Sequence, residues 1–437
     1  MTLACPVPFS DKDLTARWRV DFLQRAERFQ AHDVLGQDEA LGAQLSMAQR
    51  SYSSEPRRLR LVLVTSSYNY IQDGVALTLN RLVAYLERQG VEVLVFAPVG
   101  KIPALAHHGT LVPVPSVPLP LRPEYRLAFG LPRRAVQRLK AFRPDIIHLA
   151  LAPDFLGYST LRMARSWNVP VVASYHTRYE TYLKHYWYAA GMTGLLRHYL
   201  RYSYGACREV YVPSQCTIDA LKADGFKNNL RLWPRGVDPL RFNPGKRSST
   251  WRAMLGLSES DLVVTYVSRL VREKQVGTLV ATLRLLEERG IAHRAVIVGD
   301  GPEHASLKRR LPQVVFTGFL KGEALAQAYA SADIFLFPSE TETFGNVTLE
   351  AMASGLPCVC ADATGSRSLV VHGTSGYLAT PGCAEEFADH IARLARDSES
   401  RRRMGLAARE HSLGFSWDEA MARVLGYYKS LVAESST

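Results

Sequence analysis

The sequence predicts an α/β protein of two doubly wound, Rossmann-like domains that face each other across a cleft. Three observations carry this. Apolar runs of strand length alternate with helical stretches in two separate series. The runs are continuous rather than alternating, as in parallel strands covered on both faces. A polar segment, NPGKRSST at 243–250, divides the series. With 437 residues there is room for two or three domains with full cores.

The first series opens with LRLVLVTSS (59–67), continues into a helix closed by Gly90, and then the strand VEVLVFAP (91–98). DIIHLAL, a helix over 159–167, VPVVASYH and EVYVPS complete it. The second series runs from LVVTYVSRL (262–270) through RAVIVGDG, VVFTGFL and DIFLFPS to PCVCAD (357–362), with helices between. The expected organisation is a helical extension over 1–55, a first domain over 56–235, a second over 246–412 and a final helix over 413–437. In the extension Trp18, Phe22, Ala26 and Phe29 recur at three- and four-residue spacing and mark one helical face.

Composition narrows the function classes. Hydrophobic content of 47% and charged content of 22% are those of an ordinary globular protein. No run of about 18 uncharged apolar residues predicts a spanning helix, and MTLACPVPFSDKD lacks the basic start and apolar core of a secretory signal. Six scattered cysteines suggest free thiols in a reducing cytoplasm; Cys358 and Cys360 share one strand face without further metal ligands nearby. The net charge of +12 favours polyanions. No zinc-finger spacing or RNP-like aromatic string accompanies it, so a diphosphate ligand or an anionic membrane surface explains it better than nucleic acid.

Four constellations carry chemistry. In SETETFGNVTLEAMASG (339–355), Glu342 is expected on a cleft-facing loop and Glu350 in the helix that Phe344, Gly345 and Asn346 open. Free amides at Gly345, Asn346 and Val347 make an anion site at the positive helix end. Two carboxylates beside it suit hydroxyls, so a ligand with sugar, ribose and diphosphate meets both demands. In SRLVREK (268–274), Arg269 and Lys274 converge on such a diphosphate and stabilise charge developing on it. His176 ends a strand in SYHTRYE, within reach of a sugar hydroxyl, and Gly74 in SSYNYIQDGVA lets a ligand approach the backbone. Taken singly, each has a plainer reading as a solvated or core residue. VGDGPEHA places His304 where a dinucleotide fingerprint needs its third glycine, which argues against an NAD-dependent oxidoreductase.

Together these motifs resemble the retaining glycosyltransferases of the GT-B fold, the large group that includes sucrose synthases and bacterial lipid mannosyltransferases. The resemblance spans about 59–415 and is most specific at the E-x7-E element (Glu342, Glu350), SRLVREK, TGFL (317–320) and RGVDPLRFNP. It implies that Arg269 and Lys274 hold a nucleotide-sugar diphosphate, that Glu350 binds the ribose, and that Glu342 and His176 face the transferred sugar. TGFL, with Phe319 and Leu320, would contact the base. It further implies retention of configuration with no protein nucleophile, no cofactor beyond the nucleotide-sugar and no metal, and a final helix that crosses back to the first domain. The only Asp-x-Asp, Asp11-Lys12-Asp13, lies in the polar extension and reads as a solvated helix start.

Within the group, VPSVPLPLRPEYRLAFGLP (114–132), FRPDIIHLA and RLWPRGVD look closest to GDP-mannose-dependent α-mannosyltransferases and to sulfoquinovosyltransferases acting on diacylglycerol. Relatives often carry Gly-Gly in the early loop; Asp73-Gly74 departs from this, and the acidic group there would repel phosphates or bind an acceptor hydroxyl. GDP-mannose and a UDP-sugar both remain open as donor. The run over 178–204 is dense in Tyr, Trp, Arg, Lys and His, which suits either a membrane interface or packing into the first domain. With the positive charge, it favours a lipid or glycolipid acceptor and a cytoplasmic protein peripheral to the inner face of the membrane. A soluble acceptor, or a non-catalytic nucleotide-sugar-binding protein, is the alternative.

Overall fold

A computed structural model describes residues 58–119, 122–150, 154–178, 193–227 and 229–436. The expected helical face at Trp18–Phe29, the Asp11–Asp13 motif and the aromatic run over 179–192 lie outside them.

The first sheet contains β1 (Arg60–Thr65), β2 (Glu92–Ala97), β3 (Thr110–Pro113), β6 (Ile146–Ala150), β7 (Val171–Ser174), β8 (Glu209–Val212) and β9 (Asn229–Leu232). A separate antiparallel hairpin, β4 (Ser116–Leu119) with β5 (Arg122–Ala128), interrupts the series. The sheet order is β3-β2-β1-β6-β7-β8-β9, all parallel. At its centre Leu61 pairs with Val93 on one side and Ile146 on the other. Nearly every residue of β1 and β6 is buried, which is why their apolar runs are continuous. The helix Gly74–Arg88 follows β1 and buries Ala76, Leu79, Leu82, Val83 and Leu86 at helical spacing.

The second sheet contains β10 (Val263–Val267), β11 (Arg294–Val298), β12 (Val315–Gly318), β13 (Ile334–Phe337), β14 (Cys358–Ala361) and β15 (Gly376–Ala379). Its order, β12-β11-β10-β13-β14-β15, repeats the plan of the first. Strand order therefore reverses between β1 and β6 and again between β10 and β13. In open parallel sheets such switch points form the ligand crevice beyond the carboxyl ends of the strands.

Two segments connect the halves. The first leaves β9 through Trp233 and Arg235, and the second returns through Phe415 and Ser416 into the helix Trp417–Ser436. They meet where Val237 N–H donates to Phe415 O (3.0 Å). The returning helix packs on the first half: Ala420, Met421, Val424, Leu425, Tyr428 and Leu431 share a core with Leu61, Leu63, Leu79 and Leu82. Arg81 stacks 4.4 Å over Trp417.

At the crossing, a Cβ on Gly236 would stand 2.3 Å from Trp417 N and 2.7 Å from Ser416 C, both main-chain atoms that cannot rotate away. Gly236→Ala is expected to destabilise the protein by about 1–3 kcal/mol through overpacking. Thermal unfolding would then begin several degrees lower than in the wild type, and an unchanged midpoint would show that the crossing is loose.

Candidate functional site

The loops after β10 and β13 meet at the second switch point, and their residues explain how. Gly299, at φ 131°, lets the turn after β11 lie against the Arg269 loop; a Cβ there would stand 1.9 Å from Ser268 O. Leu270 N–H donates to Asp300 O (2.9 Å) and Glu303 N–H to Leu270 O (3.0 Å), so Arg269 rises from a cradled turn. The glycines of VGDGPEHA thus serve loop-on-loop packing. On the facing loop, Thr341 Oγ1 donates to Glu273 O (3.2 Å) and Gln275 Nε2 to Glu340 Oε1 (3.0 Å). Gly365 admits Glu342, since a Cβ on it would stand 2.5 Å from that of Glu342. Lys274, 7% exposed, is held by this framework and pairs directly with Glu342. Arg269 reaches across the cleft to donate to Tyr125 OH of the hairpin (3.0 Å).

Gly345, at φ 99°, starts the helix Asn346–Ala353 with no side-chain cap. The first-turn amides of such a helix lack intrahelical acceptors, and no side chain caps them here. Phe344 beside them is buried against Phe415, with ring centroids 5.9 Å apart, and Val347 packs on the second core. The Asn346 side chain lies opposite Gly74: a Cβ on Gly74 would be 3.6 Å from its Nδ2. Two helix amino ends therefore converge on one space bordered by Arg269 and Lys274, an arrangement that favours an anion. Asp73, the departure from Gly-Gly, is the N-cap of the first of these helices; its Oδ1 accepts from Ala76 N–H (2.8 Å). Burial raises its pKa, opposed by the Ala76 amide and then by Arg269.

One turn into the second helix, Glu350 accepts from Tyr329 OH (3.2 Å). Burial pushes its carboxyl up to about 7, against the pull of that hydroxyl and of Arg81 and Arg241. In TGFL, Phe319 is 66% exposed and Leu320 packs partly on the core.

From the first domain, β7 delivers His176. Its Nε2 lies 2.7 Å from Ser174 Oγ and its Nδ1 3.0 Å from Arg235 Nη2, so both ring nitrogens are engaged within the protein. Its carbonyl accepts from Thr343 Oγ1 (2.9 Å), and Thr343 O in turn accepts from Ser214 Oγ (3.1 Å) and Thr217 Oγ1 (3.0 Å). The loop that carries Glu342 is thereby fastened to the opposite domain. Burial, then Arg235 and His148, holds the His176 pKa well below its ordinary value, so the ring is neutral. At the first switch point, Asp154 caps the helix Phe155–Ser166 and accepts from Ser66 Oγ.

The structure thus brings Arg269, Lys274, Glu342, Gly74, Gly345 and Asn346 to one cleft, with His176 fastened to the Glu342 loop. Sequence reasoning missed Tyr125, Tyr329, Thr343 and Arg235, which act by contacts between segments distant in the chain. RGVD was noticed as a motif, but nothing local showed that its arginine meets His176.

Two facing Rossmann-like sheets with a basic, amide-lined cleft define a GT-B glycosyltransferase. Residues 248–411 match the model of glycosyl transferases group 1, and residues 72–241 that of glycosyltransferase family 4. A GDP-mannose-dependent alpha-mannosyltransferase of Mycobacterium tuberculosis is 36% identical over 87% of this chain and 98% of its own length. A sulfoquinovosyl transferase of Arabidopsis thaliana is 35% identical over 85% of this chain and 73% of its own. The chain belongs to this group of GT-B glycosyltransferases. Its fold matches sucrose-phosphate synthase from Thermosynechococcus elongatus (TM-score 0.71, 22% identity, 86% and 100% of the two chains). It also matches Anabaena HepE, solved with UDP and glucose (TM-score 0.67, 22% identity, 85% and 100%).

The Glu350 carboxyl makes a pH prediction. Its folded pKa, about 7, lies above the ordinary 4.5, so between these values the folded state retains a proton that the unfolded chain has released. Stability should fall as pH rises through that window. Glu350→Gln, which stays neutral, should melt with the wild type near pH 5 and several degrees above it near pH 8. Parallel curves at both pH values would place the Glu350 titration elsewhere.

Proposed function

We propose that the protein is a retaining, metal-independent hexosyltransferase that moves a sugar from GDP-mannose or a UDP-sugar to a lipid or glycolipid acceptor at an anionic membrane surface. The observation that carries the donor half is the convergence of two helix amino ends with Arg269 and Lys274. In this reading the donor diphosphate lies between those amides and cations, and Glu350 takes the ribose hydroxyls. Phe319 and Leu320 flank the base, while Glu342 and His176 border the sugar. Lys274, paired with Glu342 in the free protein, turns toward phosphate when donor enters. The bond from the anomeric carbon to phosphate breaks, and its electron pair stays on the phosphate oxygen, where the cations and amides stabilise it. That oxygen takes the proton of the acceptor hydroxyl as the new glycosidic bond forms on the same face. The protein supplies position and charge rather than a nucleophile.

The acceptor half rests on relatives and on one surface. The Mycobacterium relative is named for GDP-mannose, and a Streptococcus pneumoniae relative, 30% identical, is an alpha-monoglucosyldiacylglycerol synthase. Beside the first switch point, Phe155 (62% exposed), Phe129 and Tyr158 project from the first domain. Gly130 adjoins Ser159 and the main chain of Phe155, and the Tyr158 ring lies 6.4 Å from that of Tyr202, so the segments carrying these exposed rings adjoin one another. Arg133, Arg134 and Arg138 are exposed on the helix that follows Phe129. Exposed rings edged by cations suit a bilayer with anionic headgroups. Among the described residues no helix is long and apolar enough to cross a membrane, and the reading is of peripheral binding.

The deciding experiment titrates GDP, UDP and ADP and their sugar conjugates calorimetrically, then follows radiolabelled transfer to lipid in vesicles. Selective binding of one nucleotide family and transfer with retained configuration are expected. Lys274→Ala and Glu342→Ala should fold normally and lose turnover by on the order of 10²–10³. Near-normal turnover in either would remove the site assignment, and binding without transfer would favour a non-catalytic nucleotide-sugar-binding protein. Separately, replacing Arg133, Arg134 and Arg138 by glutamine should weaken binding to phosphatidylglycerol vesicles by about a hundredfold at about 1 kcal/mol per cation. Nucleotide affinity should not change. Unaltered vesicle binding would exclude this surface.

A further inference from the structure

The partners of His176 determine which ring nitrogen carries its proton. Arg235 Nη2 stands 3.0 Å from Nδ1, and a guanidinium offers only donors. Nδ1 is therefore the acceptor. The neutral ring carries its hydrogen on Nε2, which donates to Ser174 Oγ at 2.7 Å. A second proton, on Nδ1, would confront the Arg235 N–H directly.

Arg235 is itself locked in place. Nη1 donates to Trp233 O (3.0 Å), and the guanidinium carbon lies 4.5 Å over the Trp233 ring. The residue is 4% exposed, and among the described residues its hydrogen bonds go to a carbonyl and an imidazole, with no carboxylate ion pair. Burial draws its pKa down to about 9. Burying a cation without a counter-charge is costly, and an apolar side chain of similar volume would fill the space at lower cost. What Arg235 adds over such a chain is its N–H groups and its charge. One of those N–H groups is spent on His176.

We propose that Arg235 is a positioning residue for sugar transfer: its hydrogen bond to Nδ1 fixes His176 as the neutral Nε2–H tautomer at a set ring angle beside the Glu342 loop. The proposal rests on the reading above that His176 borders the transferred sugar. Held this way, the ring offers a donor to a sugar hydroxyl by sharing the hydrogen now directed at Ser174. It presents neither a lone pair nor a positive charge. A cation there would oppose the positive charge that grows on the sugar as its bond to phosphate breaks. Among the described residues, the other charged or titratable group that bears on the ring is His148 on β6. That residue is buried, pushed down to about 3 and neutral, so it supplies no competing charge. Thr343 approaches from the second domain and bonds only the His176 carbonyl, which leaves the ring nitrogens to Arg235 and Ser174.

Nitrogen NMR of the full chain labelled at histidine tests this, with the His176 signals identified by their loss in His176→Gln. In the free wild type, Nδ1 should be imine-like, Nε2 pyrrole-like, and both constant from about pH 5.5 to 8.5. In Arg235→Met the two shifts should move toward each other as both tautomers populate. Arg235→Lys, which keeps a donor, should stay closer to the wild type. In transfer assays Arg235→Met should lose about tenfold or more in kcat, the scale of a lost orienting partner, with the donor KM little changed. Wild-type nitrogen shifts in Arg235→Met would overturn the proposal. If that variant does not fold, Ser174→Ala decides: it should retain the imine-like Nδ1, and mixing of tautomers with Arg235 present would overturn the proposal. Failure of the donor reading would show separately, as absent nucleotide binding by the wild type with its His176 nitrogen pattern intact.

Discussion

The two halves of the protein are tied where Gly236 lies against the main chain of Ser416 and Trp417. Both connecting segments pass this point, and the glycine removes the side chain that would hold them apart. The contact fixes the carboxyl ends of one sheet opposite those of the other, so two ordinary Rossmann-like crevices become the two walls of one cleft. Charge on one wall can then be met by charge on the other. The amino end of the helix Gly74–Arg88 faces that of Asn346–Ala353, and Arg269 crosses to the hairpin at Tyr125. Each of these depends on the distance set at the crossing.

Within that frame the polar groups are arranged by burial as much as by proximity. Asp73, Asp154 and Glu350 all have pKa values raised by burial, and each recovers part of the cost from local donors: helix amides, a hydroxyl, or a tyrosine. Lys274 instead pairs with Glu342, so the free protein holds the central cation neutralised. In the proposed donor site, a diphosphate would exchange one anionic partner of Lys274 for another rather than discharge a bare ammonium. Affinity there is a difference between two paired states, and either residue alone tells little of it.

How much of this was legible in the sequence follows from the range of each interaction. Strands such as LRLVLV announce themselves because burial on both faces leaves no polar alternation to confuse. The helix opened by Gly345 and the SRLVREK loop were readable as elements because each pattern lies within one strand-to-helix connection, whereas the Lys274–Glu342 pair joins residues 68 apart. The hairpin Ser116–Ala128 was not, because prolines at 115, 118, 120 and 123 hide its pattern and several of its side chains face solvent. Asp73 read as a substitution of a ligand-binding glycine; its role as a helix cap became visible only with Ala76 N–H on its carboxylate. Arg235, Tyr329 and Thr343 were silent for a common reason. Their partners lie 59, 21 and 167 residues away, and no local pattern encodes such pairings.

The closing helix, Trp417–Ser436, has a bearing on how the chain acquires its shape during synthesis. Leu61, Leu63, Leu79 and Leu82 are buried in part by Met421, Val424, Leu425 and Tyr428. The ribosome produces the first sheet long before it produces its cover, so one apolar face of the nascent domain waits until residues 417–436 have been made. The intervening second domain can fold as a unit in that interval, whereas the first domain is finished last although it is made first. Loss of the helix Trp417–Ser436 would therefore be felt not where it falls but in the core around β1, and an emerging chain has a long-lived sticky surface for chaperones to shield.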